Sequence, residues 1–313
     1  MVDALTPIQK ELVAGLTTGA LTTVVVHPLD LIKIRLQLLA TSTTKLGYRY
    51  IFGSISRSAD TNPIKGGLLR ELYRGLGINL FGNAVAWGLY FGLYRTSKDM
   101  LYDYKAVHVS GTKNDVQKDS KMSSLMFLSA GALSGIITAV LTNPIWVIKT
   151  RIMSTSSSDH YSYKSTLNGV KRLLSEEGPR SFWRGLIPSL FGVSQGAIYF
   201  MIYDTLKYRF SSLRHYSDDE KSNKGLKNSE IFVISSASKL ISVTAVYPFQ
   251  LLKSNLQCFD AREKKYTMNR LINFIYGTEG VKGFYKGLSA NLFRAIPSTC
   301  ITFGIYENLK SLL

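Results

Sequence analysis

The chain has little of the chemistry that enzymes are built on. Among its 313 residues there are 2 cysteines and 4 histidines. Cys258 and Cys300 are too few for a disulfide framework and read as small, reduced side chains. The histidines, at 27, 108, 160 and 215, are scattered, and only His27 falls in an apolar run, beside a proline, where a structural role is expected. There is no G-x-G-x-x-G, no G-x-x-x-x-G-K-[ST], no H-E-x-x-H and no C-x-x-C, so nothing points to an enzyme, a metal site or a bound cofactor. Acidic residues are scarce as well: 21 against 38 Lys plus Arg, a formal charge of +17. That balance predicts an anionic partner, whether nucleic acid, lipid head groups or a solute. The basic residues are spread over loops and the ends of apolar runs rather than clustered on one face, which argues against nucleic acid. The N-terminus, MVDALTPIQKELVAG, contains Asp3 and Glu11 and has neither a basic-then-apolar signal nor an Arg-rich presequence.

What is present is a repeat. PLDLIKIR at 28–35 returns as PIWVIKTR at 144–151 and as PFQLLKSN at 248–255. Downstream, LYRG at 72–75, FWRG at 182–185 and FYKG at 284–287 form a second triplet; YRTSK, YDTLK and YENLK, starting at 94, 203 and 306, form a third. Marks recurring in one order every hundred residues or so indicate three tandem units, taken as 1–110, 111–220 and 221–313. Each unit holds two apolar runs, such as 12–32 and 76–94, about as long as the roughly 20 residues a membrane-spanning helix needs. Six spans are expected. Gly15 and Gly19, and at the same distances before their proline Gly131 and Gly135, read as small faces for close helix packing. The third unit has Ser235 and Lys239 there. A proline inside each odd-numbered span is tolerated where neighbours satisfy the freed backbone groups.

The long loops at 40–74, 154–184 and 259–286 carry 17 Lys plus Arg and 8 Asp plus Glu; those at 99–121 and 207–230 carry 10 and 8. The bias puts the three long loops on one side of the membrane and both termini on the other. Within one long loop, Tyr163, Leu167, Val170 and Leu174 have helical spacing and predict a short helix along the membrane surface.

Charges inside spans persist mainly where they pair or meet a solute. Two residues after each proline stand Asp30, Trp146 and Gln250; five after it stand Lys33, Lys149 and Lys253. One carboxylate cannot neutralise three lysines. Either the ring is a weak gate, or its surplus ammonium groups act on a passing anion, or Trp146 and Gln250 only pack and hydrogen-bond. The third triplet offers a ring at the other end, with Asp204 and Lys207 and with Glu307 and Lys310, whereas Arg95 precedes Lys98. Between the rings, seven residues past each glycine of the second triplet, lie Gly82, Gly192 and Arg294. An arginine there suits phosphate or carboxylate, and the glycines leave room for something flat. Trp87 and Tyr90 could stack on it, although packing is the commoner use of such rings. Lys239, about 13 Å along its helix from Pro248, is a second candidate anion contact.

Three copies of the P-x-[DE]-x-x-[KR] element, with the acid kept only in PLDLIK, followed by E177-GPRSFWR-G185 and E279-GVKGFYK-G287, resemble the mitochondrial carrier family over nearly the whole chain, with GLLRELYRG of the first unit departing from the pattern. The resemblance implies an all-α membrane protein of six tilted transmembrane helices with pseudo-threefold symmetry and short matrix-side surface helices. It implies a matrix gate of Asp30, Lys33, Lys149 and Lys253 braced by Gln37 and Gln257, with Met153 departing, and a cytoplasmic gate of Lys98, Asp204, Lys207, Glu307 and Lys310. Gly82, Asn83, Gly192, Val193, Arg294 and Ala295 match the family's substrate-contact positions. PIW and GNAVAWG resemble the branch for folate, flavin, NAD and pyrimidine nucleotides, and PFQLLKSN, Lys239 and RAIPSTCITF together look most like the FAD carriers within it. The expectation is alternating-access transport of FAD across the mitochondrial inner membrane, with folate, NAD or a pyrimidine nucleotide as alternatives and a non-transporting membrane scaffold as the other class. The expected protein is a monomer, with anionic lipids such as cardiolipin around it and both termini toward the intermembrane space.

Overall fold

The computed structural model describes residues 7–38, 47–60, 67–105, 124–156, 162–163, 165–215, 228–258, 266–295, 297–298 and 301. The chain is all-α. In order it forms α1 (Pro7–Leu38), α2 (Gly47–Asp60), α3 (Gly67–Leu72), α4 (Leu76–Lys105), α5 (Ser124–Ser154), α6 (Thr166–Glu177), α7 (Leu186–His215), α8 (Asn228–Gln257) and α9 (Met268–Glu279). Helix resumes at 288 and is described to 295. Most of the sixth expected span, with Glu307 and Lys310, lies outside the described residues. Five helices have 30–32 residues, about 45 Å each at the α-helical rise. Among the described residues, four stretches are long and apolar enough to cross a membrane: Gly67–Tyr104, Leu125–Ser154, Pro179–Phe210 and Glu230–Gln257. Their outer faces suit lipid, with Leu125 74% and Phe200 64% exposed, a surface that would be costly in water.

Pro28, Pro144 and Pro248 lie inside α1, α5 and α8. The residue before the proline ties its helix to the turn that opens the next long one. His27 Nε2 meets the Arg74 carbonyl at 3.0 Å, while Asn143 Nδ2 donates to the carbonyls of Phe182 at 2.7 Å and Arg184 at 3.2 Å. Asn79 Nδ2 lies 3.2 Å from His27 Nδ1. An amide NH₂ can only donate there, so the ring is the neutral Nε2–H tautomer and a structural group, as its place beside a proline suggested.

The recurring glycines have a backbone cause. Gly75, Gly185 and Gly287 take φ of +83°, +72° and +78°, the left-handed region that side chains bearing a Cβ disfavour. At Gly185 a Cβ would also sit 3.1 Å from the Lys253 carbonyl oxygen and 3.1 Å from Gln257 Cγ. Gly185→Ala is therefore expected to destabilise the protein by about 2 kcal/mol or more, read as a lower unfolding midpoint in detergent; an unchanged midpoint would contradict it.

Close helix packing holds at one of the two predicted glycine pairs. A Cβ on Gly135 would lie 2.7 Å from Val193 Cγ1, and one on Gly131 3.6 Å from the Tyr90 hydroxyl. At Gly15 and Gly19 it would meet nothing within 4 Å among the described residues. The predicted surface helix forms as α6, capped by the Ser165 hydroxyl, which accepts from the Asn168 N–H at 3.1 Å. Its expected apolar stripe faces outward, however, with Leu167 75% and Leu174 51% exposed; Leu173 and Gly169 are buried instead. Tyr163 lies before the helix and packs with Leu173, Ile78, Val147, Ile148 and Ile152. Leu31, Ile32 and Leu36 of α1 likewise bury Ile51 and Ile55 of α2 together with Met153.

By internal contacts the chain divides into two units. One comprises 1–89, 140–186 and 251–313, and holds all three sets of surface elements; the other comprises 90–139 and 187–250.

Candidate functional site

In the first unit the lone acid of the first triplet meets an arginine. Asp30 Oδ1 lies 3.2 Å from Arg294 Nε. Arg294, expected as a solute contact, is thus held by the expected gate in this structure. The missing carboxylate of the second repeat is replaced by a ring face. Lys149 Nζ stands 4.9 Å and Lys253 Nζ 5.8 Å from the Trp146 ring centroid, within the range over which an indole attracts a cation. The Trp146 Nε1–H donates to the Thr142 hydroxyl at 3.0 Å and fixes the ring. Lys33 is half-buried beside this group, and Arg294, Asp30, Lys149 and Lys253 all act on it electrostatically. Four cations therefore share one neighbourhood with Asp30.

Just beyond the lysines, the same unit closes a ring that the sequence reading did not anticipate. Seven residues after each proline stand Arg35, Arg151 and Asn255, and each donates to the carbonyl nine residues after the next proline in turn. Arg35 Nε reaches Met153 O at 3.2 Å, Arg151 Nε reaches Gln257 O at 3.1 Å, and Asn255 Nδ2 reaches Gln37 O at 3.3 Å. The expected braces add to it. Gln37 Oε1 accepts from the Ser254 hydroxyl at 2.8 Å and Gln257 Oε1 from the Thr150 hydroxyl at 2.9 Å. Met153, which cannot brace, is fully buried against α1 and α2. Both arginines are also ion-paired: Arg35 Nη2 to Glu71 Oε1 at 2.7 Å, and Arg151 to Glu177 through both guanidinium ends, with Nη2 to Oε2 at 3.0 Å. Glu177 holds Arg184 too, at 2.7 Å, and Glu279 holds Lys286 at 3.0 Å. Glu71 stands four residues before Gly75, whereas Glu177 stands eight before Gly185. The departing first repeat thus supplies its carboxylate from another position. Tyr163 accepts from Arg151 Nη1 at 3.2 Å, and burial pushes its phenol up, so it stays a neutral hydroxyl.

The remaining candidates are more dispersed. Gly82 leaves no room for a solute here, because a Cβ would meet Ile145 Cγ2 at 3.0 Å and the Trp146 benzo edge at 3.3 Å; the indole fills the gap. Asn83 Nδ2 donates to the Thr23 hydroxyl and to Asn79 Oδ1, both at 3.4 Å, extending the ladder that ends on His27. Trp87, one turn on, is 58% exposed, and Ala295 is half-buried. In the second unit, Gly192 has nothing within 4 Å of a Cβ among the described residues, but its neighbour Val193 is seated against Gly135. Gln250, at the third acid position, donates from Nε2 to Gln195 Oε1 at 3.2 Å. Lys239 is exposed and lies about three helical turns from Gln250, on the same face of α8. Of the expected second gate, the Lys98 ammonium lies over Tyr94 and Phe127 at 5.9 and 5.4 Å, and Lys207 over Tyr203 at 5.9 Å. Asp204 is exposed.

The sequence profile described as mitochondrial carrier protein matches residues 5–105, 120–213 and 224–313. The mitochondrial FAD carrier protein of Saccharomyces cerevisiae is 55% identical over 97% of this chain and 97% of its own. The mitochondrial nicotinamide adenine dinucleotide transporter 1 of the same yeast is 34% identical, over 96% of this chain and 76% of its own. A chloroplastic folate transporter 1 of Arabidopsis thaliana is 31% identical, over 96% and 94%.

Proposed function

The chain belongs to the mitochondrial carrier protein family, and from that premise we propose that it carries FAD across the mitochondrial inner membrane by alternating access, without covalent chemistry. The observation that carries the reading is the neighbourhood of Arg294, where Lys33, Lys149, Lys253 and the guanidinium gather around a single acid position. Such an excess is tolerated inside a membrane protein when an anion visits it, and the two phosphates of FAD supply that charge. Likeness to the yeast FAD carrier over nearly its full length points the same way. Arg294 and Lys239 are the anion contacts in this reading, Trp87 and the open surface at Gly192 serve the flat rings, and Gly82 becomes available only if Trp146 moves.

Asp30, Lys33, Lys149, Lys253, Gln37 and Gln257 form the matrix gate, and Lys98, Asp204, Lys207, Glu307 and Lys310 the cytoplasmic one. The charge of the long loops sets both termini toward the intermembrane space. The chain works as a monomer. An apolar groove of about 400 Å³ between the start of α4, α5 and α6, lined by Phe81, Ile145, Val170 and Phe182 among others, suits an acyl chain of an anionic lipid such as cardiolipin.

Protein reconstituted in liposomes is expected to take up labelled FAD, with unlabelled FAD competing better than folate, NAD or a pyrimidine nucleotide. Stronger competition by folate would transfer the assignment to that solute. No flux for any of them would favour a scaffold.

A further inference from the structure

Among the described residues, half-buried like charges gather around a single acid position at the proline end of α1, α5 and α8. Two of its lysines, on different helices, converge on a single indole. Trp146 is held in place from two sides: its Nε1–H is bonded to the Thr142 hydroxyl at 3.0 Å, and its benzo edge lies 3.3 Å from where a Cβ on Gly82 would stand, so a larger residue there would crowd the ring. Lys149 and Lys253 then approach its ring at 4.9 and 5.8 Å. A carboxylate at this position would form ion pairs with both. The indole offers a weaker attraction, one that keeps the lysines' charge unneutralised while still drawing α5 and α8 together.

We propose that Trp146 is an uncharged latch, whose π face holds Lys149 and Lys253 together at the closed mouth and releases them to a stronger anionic partner. Gly82 belongs to the latch as the gap that lets the ring lie flat. The release arm rests on the transport reading above; the holding arm does not, and is tested without any solute.

Cys258 is a native reporter: it follows Gln257 at the end of α8 and is 7% exposed. With Cys300 replaced by Ser, its alkylation by a maleimide in detergent measures transient opening of this mouth. Trp146→Leu is expected to raise the alkylation rate about thirtyfold, the size of a lost desolvated cation–π contact. Trp146→Phe should fall between, and Trp146→Glu should slow it below the natural protein. Alkylation of the Leu variant at the natural rate would overturn the latch. Fluorinated tryptophans, in a background where Trp87 and Trp183 are Phe, settle whether shape or charge is responsible. Successive fluorines weaken the negative ring face with little change in size, so alkylation should quicken with each; no trend would mean plain packing and would also overturn the proposal. For the release arm, Trp146→Glu is expected to cut FAD uptake about tenfold by holding the mouth shut, and uptake at the natural rate would remove that arm. Failure of FAD uptake by the natural chain would leave the solute-free result standing.

Discussion

Arg151→Met is expected to lower the unfolding midpoint in detergent more than any other single substitution considered for this chain, by the equivalent of about 3–5 kcal/mol. Arg151 has no exposed surface. It meets both oxygens of Glu177, the Tyr163 hydroxyl and the Gln257 carbonyl. Removing the guanidinium would strand a carboxylate that is 2% exposed and undo one arm of the three-helix ring. Glu177 would keep Arg184, which limits the loss. Arg151→Met combined with Glu177→Gln should recover part of the stability, because the stranded charge is then gone. Arg35→Met should follow the same pattern through Glu71, whereas Asn255→Ala should cost far less, about 1 kcal/mol, since it removes neutral hydrogen bonds only. A thermal-shift series on these variants checks the order, and an Asn255 variant as damaged as the Arg151 one would contradict it.

That ring marks the limit of what the sequence displays. The prolines and the glycines with positive φ recur in the same order in each repeat, and Gln37 and Gln257 each stand nine residues after their proline, because each imposes a local condition that few residues meet. The carbonyls of Met153, Gln257 and Gln37 are different: any residue supplies a carbonyl, so an acceptor leaves no trace in the chain. The donors were visible as Arg35, Arg151 and Asn255, seven after each proline, but a row of mixed type reads as noise until the acceptors are known. Glu71 escaped for a related reason, since it reaches Arg35 from four residues before its glycine rather than eight. Trp146 stood out as a missing acid, yet residue type alone could not say that its face would be taken by Lys149 and Lys253. Arg294 reads in the sequence as a candidate anion contact; nothing in the sequence pairs it with Asp30, because the two are 264 positions apart in the chain.

The Asp30–Arg294 contact leads to the second large effect. Asp30→Asn leaves Arg294, Lys33, Lys149 and Lys253 together with no acid at any of the three acid positions. The solute-free protein should then be markedly less stable, with FAD uptake reduced about tenfold to a hundredfold because the mouth cannot reseal. Arg294→Ala should lose uptake to a similar degree, through the solute's phosphate, since a hydrogen bond to a charged group contributes about 1.5–3 kcal/mol. Arg294→Lys should keep part of it, because an ammonium retains the charge without the planar fork. The two sites are told apart by adding FAD. Any solute that binds the folded chain raises its midpoint. In Asp30→Asn the phosphates also relieve cation repulsion, so FAD should raise the midpoint further than it does in the natural protein. In Arg294→Ala the contact itself is gone, and the FAD-dependent rise should shrink. Equal rises in all three proteins would separate Arg294 from the solute and leave it a structural partner of Asp30.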